Sequence, residues 1–190
     1  MRDPTATGRD LIARWAEPHR RYHDLAHLTA VLDNLHDLAG HAQDLDAVRL
    51  AAWYHDAVYA GAPDDEENSA RLAEAELPAL ALPGALVAET ARLVRLTATH
   101  DPAFGDHNGE TLCDADLAIL AAGPANYARY VEAVRAEYAH VTDETFHAGR
   151  AEILRRLLAA PALFRTPAGR ERWEADARAN VRAELATLTS

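Results

Sequence analysis

Apolar residues recur every third or fourth position along most of this 190-residue chain, and no stretch alternates the way a half-buried strand does. Leu25, Leu28, Val31, Leu32, Leu35 and Leu38 give the clearest stripe, stopped at Gly40. A short helix carrying Leu11, Ile12 and Trp15 precedes it and ends near Pro18. After it the spacing predicts a helix over about 45–59, closed by Gly61-Ala62-Pro63, and another with an acidic start at Asp64 to Glu67. One more follows Pro83-Gly84 and runs to Leu96. Asp101 to Gly109 reads as a loop, Leu112 to Leu120 as a helix broken at Gly123-Pro124, and three further helices cover about 127–138, 145–158 and 169–188. The pattern specifies an all-α bundle of eight or nine helices. With no internal repeat and no Pro/Ser-rich linker, residues 1–190 read as one domain, long enough to bury a core.

A formal charge of −11 excludes general nucleic-acid binding, which needs a basic face to neutralise phosphates. All 19 basic residues are Arg, so lysine Schiff-base chemistry and Walker-type phosphate loops are excluded as well. Cys113 is the only cysteine, which rules out an intrachain disulfide and a cysteine-rich zinc site. Met1 to Arg9 is polar, without the apolar core of a signal peptide, and no stretch approaches the roughly 20 apolar residues that span a bilayer. The expectation is a cytoplasmic protein without membrane contact, and the exposed faces of an Ala/Leu-rich bundle allow a homodimer.

Against that background one set of residues stands out: His27, the pair His55-Asp56, and the run Asp114-Ala115-Asp116. Together they can offer two nitrogens and two or more oxygens to one cation, a donor set that suits a divalent first-row metal. His55-Asp56 lies in the apolar run AAWYHDAVY, where a charged Asp is costly to bury unless it is paired or binds metal. Neighbours on a helix point about 100° apart, so the two converge on an ion only at a helix junction. Asp114 and Asp116 are expected at the start of a helix, where one of them serves as a cap and the other is left free. His23 and His27, four apart, share a helix face.

The order and spacing of these residues, with His-Asp 28 residues after His27 and Asp116 about 60 further on, resemble the HD-domain superfamily of metal-dependent phosphohydrolases. More narrowly, the chain resembles the short bacterial proteins described as predicted phosphohydrolases of that superfamily. The matching segments are RRYHDLAHL, AAWYHDAVY, DDEENSA, TATH, CDADLAIL and YVEAVRAEY, from about Trp15 to Tyr138, with weaker likeness to Asn180. The resemblance implies a helical bundle of the HD type, with a metal-site core over about 15–140 and C-terminal helices over 143–188. It implies that His27, His55, Asp56 and one of Asp114 and Asp116, preferably Asp116, hold the metal. The ion would be Mn, Fe, Co, Ni, Zn or Mg.

His23 then becomes a proton shuttle beside the metal. Glu67, in the cluster with Asp64 and Glu66, is a candidate general base, although an acidic first turn also serves the helix dipole. Ser69 matches the pattern without a clear task. Arg20 is the first candidate for binding phosphate, ahead of Arg135, Arg150, Arg155 and Arg156. Tyr127, Tyr130 and Tyr138 read as packing residues. In members with two metals, extra histidines bind the second ion, and here His100 and His107 fall in the required interval. The implied activity is hydrolysis of a phosphate ester in a nucleotide or related small metabolite by metal-activated water. Two alternatives are an HD-fold di-iron oxygenase, which needs His100 and His107, and a non-catalytic module that binds metal or nucleotide.

Overall fold

The computed structural model describes residues 3–189; Met1, Arg2 and Ser190, the ends of the 1–190 unit, lie outside the described residues. Among the described residues nine α-helices follow one another: α1 Pro4–Trp15, α2 Leu25–Leu38, α3 Leu45–Tyr54, α4 Asp65–Glu76, α5 Gly84–Leu96, α6 His107–Leu117, α7 Pro124–Glu137, α8 Asp143–Ala159 and α9 Pro167–Leu188. Short 3₁₀ turns at Leu77–Leu80 and Ala118–Ala121 extend α4 and α6, and no strand occurs among the described residues. Among the described residues no helix is long and apolar enough to cross a membrane.

Side chains start most of these helices. Asp3, Asp24, Asp44, Asp106, Thr142 and Thr166 each accept a backbone N–H from the first turn that follows. Two expected boundaries move for this reason. Asp3 and Pro4 start α1 well before Leu11. Asp106 captures the Gly109 N–H at 3.0 Å, so α6 begins at His107 within the expected loop. Asp114 and Asp116 therefore lie near the end of a helix and not at its start.

Two apolar clusters form the interior. Leu11, Val31, Leu35, Val48, Leu77, Leu93 and Leu112 join α1 to α6. Leu120, Tyr127, Tyr130, Leu154, Phe164 and Val181 join the second 3₁₀ turn to α7, α8 and α9. Trp173 packs against both. Packing thus divides just after α6, and α7 belongs with the C-terminal helices. Tyr127 and Tyr130 are buried packing residues, as their spacing suggests.

The second cluster contains a charged pair. Arg150 Nε donates to Glu184 Oε1 at 2.7 Å, with both side chains largely shielded, and the Tyr127 hydroxyl donates to Glu184 Oε2 at 2.5 Å. Arg150, one of the arginines considered for phosphate, is thus committed to holding α8 against α9. Removing one member of a buried pair strands the other charge, at a typical cost of about 3–5 kcal/mol. Glu184→Ala is therefore expected to lower unfolding stability by about that amount, measured by urea denaturation, and Glu184→Gln by less.

Candidate metal centre

Donors from three distant segments meet beneath α1. His27 comes from the first turn of α2, His55 from the residue that closes α3, and Asp116 from the last turn of α6. His27 Nε2 is 3.2 Å from His55 Nε2 and 3.1 Å from Asp116 Oδ1, and the last two atoms are 3.7 Å apart. Asp56 Oδ2 lies 3.2 Å from His55 Nε2 and 3.8 Å from His27 Nε2. Metal bonds of about 2.0–2.2 Å place the ligands of one ion roughly 3–4 Å apart. His27, His55 and Asp116 form a group that could hold a metal ion, and Asp56 adds a donor at its edge.

The surroundings suit that use. His55 Nδ1 donates to the Ala52 carbonyl at 2.8 Å, which aims Nε2 at the meeting point. The indole of Trp15, fully buried and tied by its N–H to the Trp53 carbonyl, sits 5.3 Å from the His55 ring and 6.1 Å from the His27 ring. Burial pulls the His55 imidazole down, but the Asp56 and Asp116 charges outweigh it and hold its pKa well above the ordinary value. Conversely, burial raises both carboxyls, yet His55 and its neighbouring imidazoles keep Asp56 and Asp116 well below the usual range. Positive charge on His55 offsets the neighbouring carboxylates; a cation bound there would do the same.

The geometry depends on α3 stopping at Tyr54, five residues before the expected end at Tyr59. His55 still makes its helical bond to Ala51, after which the backbone leaves the helix. Arg20 takes up the freed carbonyls. Its Nη1 donates to Asp56 O at 2.8 Å and to His23 O at 2.9 Å, and its Nη2 reaches Ala57 O. Ser69 Oγ accepts the Val58 N–H and donates to the Val58 carbonyl, and Asp65 accepts the N–H groups of Ala60 and Ala62. Once out of the helix, adjacent residues need not diverge by 100°, so His55 and Asp56 can face one point. Arg20 is thus buried against the backbone, also paired with Glu17, and holds the turn in place.

The other expected residues are dispersed. His23 stacks on Tyr59 with ring centroids 4.3 Å apart, and its Nδ1 lies 2.7 Å from Glu137 Oε2. His100 reaches Asp116 Oδ2 at 2.7 Å from a left-handed backbone conformation, φ 51°, which costs of order 1 kcal/mol. His107 does not join it; it stands at the opposite end of α6 beside His41 and Glu110. Glu67 lies on the surface in ion pairs with Arg95 and Arg71. Its neighbour Glu66 is the one within electrostatic reach of Asp56 and His100; burial raises its pKa. Arg135 pairs with Asp143, and Arg155 faces Glu152. Asp114 is fully buried but turned away, accepting the Arg165 and Thr166 N–H groups at 2.7 Å each. It caps the entry to α9, and a Cβ on Gly169 would stand 2.5 Å from its carboxylate.

Glu137, near the end of α7, escaped the sequence reading. One oxygen accepts three consecutive N–H groups, from Arg21, Tyr22 and His23, at 2.8, 2.8 and 2.9 Å. The other receives the Tyr59 hydroxyl at 2.9 Å beside His23. Its only signal was membership in the segment YVEAVRAEY, since a glutamate on an amphipathic helix otherwise reads as surface.

A cavity of about 540 Å³ opens beside the centre. His27 and Asp116 reach its wall, Val31, Ile119, Tyr130 and Trp173 make it apolar, and Arg21 and Arg129 border it. Asp24 also lines it, with its carboxylate engaged in capping α2. Neither arginine is paired with a carboxylate among the described residues.

Comparison with protein-family models, with curated proteins and with solved structures finds no match to this chain.

Two outcomes follow from these placements. Asp114→Ala removes a buried cap with two N–H partners and is expected to cost about 2–3 kcal/mol in stability while leaving metal retention intact. Asp116→Ala is expected to lose the ion of the His27–His55–Asp116 centre; elemental analysis alongside thermal melts separates the two. For Glu137, burial raises the carboxyl, but the His23 bond and charge and the backbone N–H groups lower it further, from 4.5 to about 2. Its contribution is complete above about pH 4.5 and disappears as pH falls towards 2. A stability gap between wild type and Glu137→Gln, of order 2–3 kcal/mol at neutral pH, should close over that interval in urea titrations.

Proposed function

We propose that this chain is a metal-dependent phosphohydrolase of the HD-domain superfamily. It would cleave a phosphate ester of a small metabolite such as a nucleotide. The observation that carries this reading is the meeting of His27, His55 and Asp116, with Asp56 at the edge, beside an apolar cavity whose wall His27 and Asp116 reach. Helix packing alone gives no reason to collect four such groups from three elements, since burying them unpaired is costly.

A divalent ion held by these four residues would supply hydroxide near neutral pH and polarise a phosphoryl oxygen. The chain's own residues account for the rest. Arg21 and Arg129 offer the cavity positive charge in an otherwise acidic protein, so an anionic group is drawn there. Val31, Ile119, Tyr130 and Trp173 receive the body of the ester and exclude water from it. Glu137 fixes His23 through Nδ1, leaving Nε2 to hold a proton for the leaving oxygen. Arg20, given to the backbone, keeps Asp56 in place and has no free donor aimed at the cavity. His100 orients Asp116; it is also the one expected histidine that would serve a second ion beside the first.

The test is phosphate release from a panel of nucleoside monophosphates and p-nitrophenyl phosphate, with Mn²⁺, Co²⁺, Ni²⁺ or Zn²⁺ supplied. Wild type should turn over at least one ester. Asp56→Ala should lose the ion and at least about 10³-fold in kcat/KM, the scale of removing a principal stabilising group. Full metal occupancy with no phosphate from any ester would favour a binding module. Two irons per chain with a visible absorption band would favour the oxygenase.

A further inference from the structure

A second group of metal-ligating side chains lies at the other end of α6. His41, from the connection between α2 and α3, points its Nε2 at Glu110 Oε2, 2.6 Å away. His107 Nδ1 lies 3.2 Å from that same oxygen and 3.2 Å from His41 Nε2. The two rings stand nearly perpendicular, 84° apart, with centroids 4.6 Å from each other. His107 and Asp116 are nine residues apart on one helix, so the two groups are separated by roughly 14 Å along its axis.

We propose that His41, His107 and Glu110 form a cation site of their own, for Zn²⁺ or a similar divalent transition metal, that fastens the α2–α3 connection to the start of α6.

The donor atoms form a triangle with edges of 2.6, 3.2 and 3.2 Å. Ligands about 2.0–2.1 Å from a tetrahedral zinc stand roughly 3.3 Å apart, and two imidazoles with one carboxylate are a common zinc donor set that leaves a position for water. Imidazole also selects such metals over Mg²⁺ or Ca²⁺. Hydrogen bonding alone explains the triangle less well. If both nitrogens donate to the one oxygen, two N–H groups face each other at 3.2 Å, although a half-exposed imidazole such as His107 could turn to water.

Glu110 and the connection that carries His41 are also held from behind. Gly105 N–H donates to Glu110 Oε1, which leaves Oε2 for the triangle. Asn108 accepts the N–H groups of Gln43 and Asp44 at 2.9 and 2.8 Å, fixing the connection that carries His41. Asn108 donates in turn to Glu89. His107 and Glu110 are three apart on α6 and share a face. Little ordering remains to be done on binding, which favours affinity. Because the ion would join two segments only in the folded chain, it would stabilise the native state.

Protein stripped with chelator is titrated with Zn²⁺ and Co²⁺, reading ions per chain, affinity and Co²⁺ visible absorption, for wild type, His41→Ala, His107→Ala and Asp116→Asn. His107 is partly exposed and serves if His41→Ala fails to fold. The expected result is one ion that persists in Asp116→Asn and is lost, or weakened at least about 100-fold, in both histidine variants. Zn²⁺ should raise the melting temperature of Asp116→Asn but not of Asp116→Asn/His107→Ala. Wild type binding only this one ion would support the site while counting against the centre at Asp116. Ion number and affinity unchanged in both histidine variants would overturn the proposal, as would absence of a zinc-dependent rise in melting temperature in Asp116→Asn.

Discussion

The arrangement around His55 and Asp56 depends on one buried guanidinium. Arg20 donates to the carbonyls of His23, Asp56 and Ala57, so it joins the segment before α2 to the turn after α3. A helix leaves its last carbonyls without partners, and burying them bare costs free energy. His55, Trp15 and the Ala57 N–H take the last carbonyls of α3, and Arg20 takes those of Asp56 and Ala57 just beyond, so α3 can stop inside the protein. The Arg20 guanidinium also lies 5.4 Å from the ring centroids of Trp15 and Tyr59, packing the charge between aromatic faces. Ser69 and Asp65 complete the same turn from α4. Three polar side chains thus exchange one turn of helix for a bend that presents two adjacent residues to one point.

A second layer holds the first. Glu137 organises the backbone of Arg21, Tyr22 and His23, and Tyr22 packs on His27 with centroids 4.8 Å apart. Asn34 on α2 donates to the Ala115 carbonyl on α6, fixing the two helices that carry His27 and Asp116. Asp114, two residues before Asp116, ties α6 to the entry of α9. The DAD run therefore divides its work: one carboxylate builds the fold, the other faces the imidazoles. The strain at His100 fits the same pattern, since its left-handed backbone is what accompanies its reach to Asp116.

Much of the bundle was legible because helices advertise themselves locally. The stripe from Leu25 to Leu38 matches α2 to the residue, Gly61-Ala62-Pro63 falls between helices as expected, and Pro83 stands just before α5, which begins at Gly84. Where the reading departs from the structure, the cause is a polar side chain reaching from elsewhere. α3 ends at Tyr54 and the backbone beyond it finds partners in Arg20 and Ser69, at the carbonyls of Asp56, Ala57 and Val58. His107 enters α6 because Asp106 caps it. Glu137 and His41 carried no local mark: a glutamate on an amphipathic helix and a histidine after Gly40 are ordinary surface residues until their partners are known.

The sequence by itself determined the helical class, the places where most helices start and stop, and the residue types available for a metal: imidazoles and carboxylates, with one cysteine and no lysine. Those follow from short-range effects, periodicity and capping, that act within a few residues. Only the tertiary structure decided which of those groups meet. It chose Asp116 over Asp114, gave Arg20 to the backbone, left Glu67 on the surface, and sent His100 and His107 to opposite ends of α6. The reason is physical: a donor's partner is fixed by where whole helices pack, and two carboxylates two residues apart on one helix point to different neighbours.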